Sequence, residues 1–238
     1  MGDDQGQGAG QQLALLDLSA GDLLSRFGAG AATPGSGSAA ALMSLLASSL
    51  ICAVAKMTVA KGKEAAAKAQ AEVIVNLLEN RISPRLKVLF EEDSRVFQAV
   101  IDARIRRDNP ALVTQKRQNA AQATDGLREA TNILFEIVDL SFQAFENGMS
   151  IWSIGFRPAM GDAGAGISAS LAAITTCLLV ANVNLRTARS SWSRDAKKKC
   201  DDIQVRMLRA QERVLQLVQQ SSDKTAENLA EALPLPVN

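Results

Sequence analysis

A chain of 238 residues, 47% of them hydrophobic, is long enough to bury one substantial core. Its 26 lysines and arginines almost balance its 25 aspartates and glutamates, so no long-range field draws it to nucleic acid or to an anionic membrane, and any ligand must be held locally. The chain has no histidine, which excludes serine–histidine and cysteine–histidine nucleophiles, histidine-ligated metals and imidazole acid–base steps.

The first twelve residues are mostly Gly, Gln and Asp, without the basic and apolar regions of a secretory signal, and read as a disordered tail. Residues 13–232 read as a single helical domain, and residues 233–238, around Pro234 and Pro236, as a second tail. Cys52, Cys177 and Cys200 are far apart and lack metal-ligand spacing, so the chain predicts neither a zinc site nor a disulfide framework and fits a reducing cytoplasm.

In chain order, Ser19 and Asp22 form a capping-box pattern before Leu23, Leu24 and Phe27, predicting a short helix that ends at Gly28-Ala29-Gly30. Ser38 opens a second helix running to about Ala60. From Lys63, Val73, Leu77 and Leu78 keep helical spacing as far as Ser83-Pro84, where serine can cap and proline can enter the first turn of a new helix carrying Leu86, Leu89, Phe90 and Phe97. Asn109-Pro110 repeats that device and opens a long helix, which Asp125-Gly126 can interrupt and Gly148 can end. Met149 to Gly161 reads as a loop. A further helix follows Asp162, and an amphipathic one runs from about Arg194 to Ala232. No segment alternates as a strand does.

Two runs, Arg26 to Lys56 and Asp162 to Arg186, contain no charge between their ends and are long enough to cross a bilayer. Both are rich in Ala, Ser, Gly and Thr, tyrosine is absent, and the remaining helices are amphipathic. The pattern therefore predicts an all-α bundle in which amphipathic helices surround two uncharged ones, with a second subunit covering what is left and no membrane partner.

The first uncharged helix opens on Thr33-Pro34-Gly35-Ser36-Gly37-Ser38. No strand precedes these glycines, which argues against a dinucleotide fold. Free amides and the positive end of a helix dipole nevertheless suit a polar or anionic group, although Gly35 and Gly37 also have a purely structural reading as a tight turn. Asp162 stands where an N-cap belongs, and as a fixed anion it would suit a cation nearby. Arg104, Arg106, Arg107, Lys116 and Arg117 flank the Asn109-Pro110 turn, but Asp102 and Asp108 are interleaved and stacking aromatics are missing, which argues against nucleic acid.

Taken together, the Pro-Gly-x-Gly-Ser-x-Ala-Ala turn at Pro34–Ala41, Glu92-Asp93 with Phe97, the Gly155-x₆-Asp162-Ala163-Gly164 segment and Ala181-Asn182-Val183-Asn184-Leu185 resemble the formiminotransferase-cyclodeaminase and methenyltetrahydrofolate cyclohydrolase family, from about Asp17 to Arg206. The resemblance implies an all-helical homodimer that takes a tetrahydrofolate derivative as substrate, with no permanently bound cofactor and no metal. It places Asp162 and Asp93 as catalytic carboxylates, and Gly35, Ser36, Gly37, Ser38, Lys56, Phe156 and Asn182 around the substrate, with Lys61 and Lys63 as further partners for its carboxylates. The chain departs from the family pattern at Ser36, where a glycine is usual, at Phe156, where asparagine is usual, and at Gly161, where serine is usual. Without an attached formiminotransferase domain, hydrolysis of methenyltetrahydrofolate is expected ahead of formimidoyltetrahydrofolate deamination. The departures leave a related ring-opening enzyme with a changed substrate, or a non-catalytic helical scaffold, as alternatives.

Overall fold

The computed structural model describes residues 14–188 and 190–232, so both predicted tails lie outside the described residues. The α-helices are α1 (Ala20–Phe27), α2 (Ser36–Lys61), α3 (Ala65–Leu77), α4 (Ser83–Asp108), α5 (Lys116–Ile154), α6 (Met160–Thr187) and α7 (Ser191–Ala232). There is no strand among the described residues. The Ser19 cap of α1 forms as expected, its Oγ accepting the Asp22 amide at 3.1 Å; Asn109 Oδ1 accepts the Ala111 amide at 2.9 Å, but it opens a 3-10 turn, Pro110–Gln115, and the long helix begins only at Lys116.

Three expected breaks are absent, each for a steric reason. At Ser83-Pro84 the chain continues from α3 to α4 through a π turn, Leu78–Ile82, whose wider winding absorbs the missing proline N–H. Gly126 lies inside α5 against Val100, and Gly148 does not end that helix either. A methyl group at Gly148 would stand 2.7 Å from Ile167 Cγ1 and 3.0 Å from Ile51 Cδ1, so this glycine is a contact surface, and α5 runs on through the first part of the expected loop to Ile154.

Gly148 belongs to the tightest meeting point of the bundle. A methyl group at Gly166 would lie 2.7 Å from Ile51 Cγ1 and 3.0 Å from the Ala47 carbonyl oxygen, so α2, α5 and α6 converge on the fully buried Ile51. The same ends recur elsewhere: the Phe156 amide donates to Thr58 Oγ1 at 2.9 Å, while Gly35–Gly37 share a cavity with Leu179–Asn184. The two uncharged helices are therefore antiparallel, the start of α2 beside the end of α6. Two of their buried hydroxyls turn to their own backbones, Thr58 to Val54 O and Ser170 to Gly166 O, while Ser44 accepts from Ser141 of α5 and Ser38 reaches Asp93 of α4.

The amphipathic helices flank this centre. α4 runs antiparallel to α5, clamped by the Arg85 guanidinium on Glu136 at 2.6 and 2.8 Å. α7 lays Lys199, Arg206 and Arg213 over Phe135, Phe142 and Phe145 of α5, which places part of the Lys197-Lys198-Lys199 run on an aromatic edge. Both uncharged helices are long and apolar enough to cross a membrane, yet 61% of the most apolar window in α2 and 44% of that in the segment containing α6 are buried inside this bundle. Between Asp162 and Arg186, what remains outward on α6 is uncharged and includes Leu179, 65% exposed, and Val183, 54% exposed.

Gly166→Ala is expected to destabilise the fold by about 1–2 kcal/mol, overpacking against Ile51 outweighing the gain in helix propensity. Gly161→Ala, on the same helix with nothing within 4 Å, should be neutral or stabilising by up to about 1 kcal/mol. Urea denaturation of the two variants checks the pair.

Candidate functional site

Helix α2 begins two residues earlier than expected, at Ser36, with Gly35 as its N-cap and no side chain of its own closing the end. The partner comes from α4. Asp93, 6% exposed, accepts hydrogen bonds from the Ser38 hydroxyl, 2.8 Å from its Oδ2, and from the Ser38 backbone amide, so a carboxylate from another helix caps α2 at its positive end. Gly37 makes this possible: a side-chain carbon there would overlap the carboxyl group of Asp93. The two glycines thus have the structural role of a tight turn and, at the same time, make the space that seats an acid.

Burial pushes the Asp93 carboxyl above the ordinary aspartate range, and the hydrogen bonds from Ser38 only partly offset this. No cation pairs with it among the described residues. Around it lies a cavity of about 290 Å³ with apolar walls from Phe97, Leu134, Leu179 and Val183, and with Gly35, Ser36 and Gly37 at the helix start. Such a site can hold a flat ring system against apolar surface and exchange a proton with it through one carboxyl group. Cys177 stands near Asp93, but it is fully buried and its thiol is pushed far up by desolvation, which leaves it inert as a nucleophile. No cluster of three or more acidic or cysteine side chains with metal-binding geometry occurs among the described residues.

The remaining predicted residues lie elsewhere in the chain. Asp162 is not the N-cap of α6, a position held by Ala159; it sits exposed in the first turn, because the helix begins at Met160. From Asp162 to Val183 is twenty-one residues of α6, roughly 32 Å at the rise of an α-helix, so the two catalytic candidates occupy opposite ends of one protomer. Phe156 is at the Asp162 end, its ring 5.5 Å from Lys61 Nζ, beside a second cavity of about 400 Å³ lined by Lys61, Lys63 and Arg157. Lys56 projects from the later half of α2 and pairs with Glu79 at 2.5 Å, away from the Asp93 cavity. Asn182 turns back onto its own helix, its Nδ2 donating to Leu178 O at 2.8 Å, whereas Asn184, two residues on and so on another face, lines the cavity. Asn184, Phe97, Leu179 and Val183 are among the lining residues absent from the predicted set. For Asn184 the signal was present in the Asn182-Val183-Asn184 run, but only the helix phase selects between the two asparagines.

Gly37→Ala should displace Asp93 and uncap α2, costing about 1–3 kcal/mol in denaturant unfolding. Asp93 also makes a pH signature. Its folded pKa lies above its unfolded value, so the folded state holds the proton more tightly; this contribution is complete below the unfolded pKa and is lost as pH rises through the folded value. Asp93→Asn removes that titration, and its melting temperature relative to wild type should therefore rise from about pH 4, the ordinary aspartate value, toward neutrality. A difference that is flat with pH would contradict the assignment.

The arrangement has relatives. The formiminotransferase-cyclodeaminase family model matches residues 19–202, most of the chain. Among solved structures, formiminotetrahydrofolate cyclodeaminase from Thermotoga maritima superposes with a TM-score of 0.74 at 16% sequence identity, over 87% of this chain and 99% of that one, which establishes a shared fold. No curated protein sequence matches. With the family match spanning the glycine turn, Asp93 and the whole of α6, the chain belongs to the formiminotransferase-cyclodeaminase family, folate-related proteins of the cyclodeaminase and cyclohydrolase type.

Proposed function

We propose that the protein is a methenyltetrahydrofolate cyclohydrolase, and that buried Asp93, held on the start of α2 inside an apolar-walled cavity, is the observation that carries the reading. Water adds to the cationic methenyl carbon and gives one proton to the Asp93 carboxylate. The carbon–nitrogen bond to the pterin-side nitrogen then breaks, Asp93 returns its proton to that nitrogen, and the hydroxyl proton of the adduct passes to solvent. The products are 10-formyltetrahydrofolate and one released proton. A carboxyl whose pKa is raised toward neutrality suits both halves of this exchange. Ser38 positions the acid, and Phe97, Leu134 and Val183 offer the flat surfaces a pterin or benzoyl ring needs. Formimidoyltetrahydrofolate deamination acts at the same one-carbon centre, and the name of the Thermotoga maritima neighbour favours it as the second reading.

The working form in this proposal is a homodimer. The outward face of α6 is small in its first half, with Ala165, Ser168 and Ala172, and large in its second, with Leu179 and Val183. Antiparallel pairing of two copies about Ala172 sets Leu179 against Ala165 of the partner subunit and Val183 beside Asp162 of the partner subunit, a self-complementary contact of the kind a two-fold axis requires. That pairing returns Asp162 to the Asp93 cavity as the anion opposite the substrate's cation. Departures at Phe156 and Gly161 would then alter the partner's side of the site. Three free, buried thiols agree with a cytoplasmic setting.

Loss of methenyltetrahydrofolate absorbance above the uncatalysed background tests the activity, with ammonia release from formimidoyltetrahydrofolate as the parallel assay. Asp93→Ala should lower kcat by about 10²- to 10⁴-fold, the usual worth of a general acid–base group. Wild type no faster than background in either assay removes the enzyme reading. Mixed Asp93→Ala and Asp162→Ala chains, each inactive alone, should regain roughly a quarter of wild-type activity, because random pairing leaves one intact site in each heterodimer. No recovery after verified subunit exchange would place Asp162 outside the site.

A further inference from the structure

A second hollow follows the Asp93 cavity along the same helices. Along α4, Phe97, Arg104 and Arg107 follow one another at spacings of seven and three residues and so share a helix face; on α5, Leu134, Ala130, Leu127, Thr124 and Ala120 do the same in the opposite direction. The end of α6 completes the trough, from Asn184 to Thr187. A second hollow of about 300 Å³ therefore lies along the same three helices as the Asp93 cavity, and its lining includes Arg104, Arg107, Thr124 and Thr187. The separation from Phe97 to Arg104 is about 10 Å along the axis.

The chemistry changes along that path. Apolar walls and one acid at the inner end give way to two half-buried guanidinium groups at the outer end. Arg104 has no salt-bridge partner among the described residues, while Arg107 is held by Asp108 at 2.7 Å, an exposed carboxylate that an incoming anion can replace. Residues 102–129 with Arg186 hold seven lysines and arginines against four aspartates and glutamates, a local excess in a chain that is nearly neutral overall. The interleaved acids that argue against nucleic acid do not line this hollow.

We propose that Arg104 and Arg107 form an anion subsite that takes the carboxylates of a substrate's glutamate tail, the rings lying toward Asp93 and the benzoyl spacer over Leu127 and Ala130. The inference rests on the folate reading above. It gives the arginine cluster a binding role and assigns the tail to these arginines rather than to Lys56, which is paired with Glu79 away from the cavity. Arginine suits the task because its planar fork pairs with a carboxylate through two hydrogen bonds and cannot lose its charge.

The test compares wild type, Arg104→Ala/Arg107→Ala and Arg104→Lys/Arg107→Lys, with melting temperatures confirming that each folds. In turnover of methenyltetrahydrofolate carrying one or several γ-linked glutamates, the alanine pair should raise KM about tenfold or more with kcat changed less than about twofold, and the lysine pair should recover part of that loss. Asp108→Asn, which frees Arg107, should lower KM. An unchanged KM, or a loss confined to kcat, overturns the proposal. A second arm needs no activity: calorimetric binding of p-aminobenzoylglutamate, with free glutamate and inorganic phosphate as controls. Arginine-dependent binding of the benzoyl compound supports the subsite even if no folate is turned over, which would instead sink the enzyme reading. Arginine-independent binding, or equal affinity for phosphate, overturns the subsite while leaving measured turnover intact.

Discussion

The contact on which the other features depend is the convergence of three helices on Ile51. Gly148 of α5 and Gly166 of α6 offer hydrogen atoms where every other residue would offer a methyl group, and the space left is filled by one isoleucine of α2. The uncharged stretches of α2 and α6 can approach this closely because glycines meet the isoleucine and hydroxyls such as Thr58 and Ser170 bond to their own turns. With the middle of α2 pinned to the start of α6, the antiparallel arrangement follows. The open N-terminus of α2 then arrives beside the end of α6, where Val183 and Asn184 meet it.

That arrival creates a vacancy in backbone hydrogen bonding, and α4 fills it. An exposed aspartate would cap α2 adequately, but Asp93 does so from inside the core, where its charge is expensive. The same act therefore caps a helix and prepares a carboxyl that holds its proton more tightly than usual. Gly37 supplies the room, Ser38 the hydrogen bonds, and the apolar walls the desolvation. The group that satisfies the helix end is the one to which the proposed reaction assigns the proton transfer.

The outward face of α6 has the complementary role. A single protomer leaves uncharged side chains such as Leu179 and Val183 in contact with water, at a place where they also form the rim of the Asp93 cavity. An apolar rim around a half-open site is the surface that a second subunit would close, and the gradation from small to large residues along α6 favours a copy of the same helix in the opposite direction.

Much of the fold was legible in the sequence itself. Charge-free runs, helical spacing and the Ser19 and Asn109 caps are local properties, so the all-helical class, the helix order and most boundaries could be derived without tertiary contacts. The glycines were the main failure. Gly148 reads locally as a helix terminator, and only the presence of Ile51 and Ile167 shows that it is a contact surface. Asp93 and the Gly35–Ser38 turn were identified as candidates from family resemblance, but their union depends on α4 crossing the start of α2, fifty-five residues away for Ser38. Asp162 was placed with them by the same resemblance and by its position at the start of an uncharged helix, and neither says which helix ends meet within one protomer. Packing decided that question by setting α2 and α6 antiparallel, since glycine-to-isoleucine contacts, unlike caps and periodicity, are made between residues that the sequence keeps far apart.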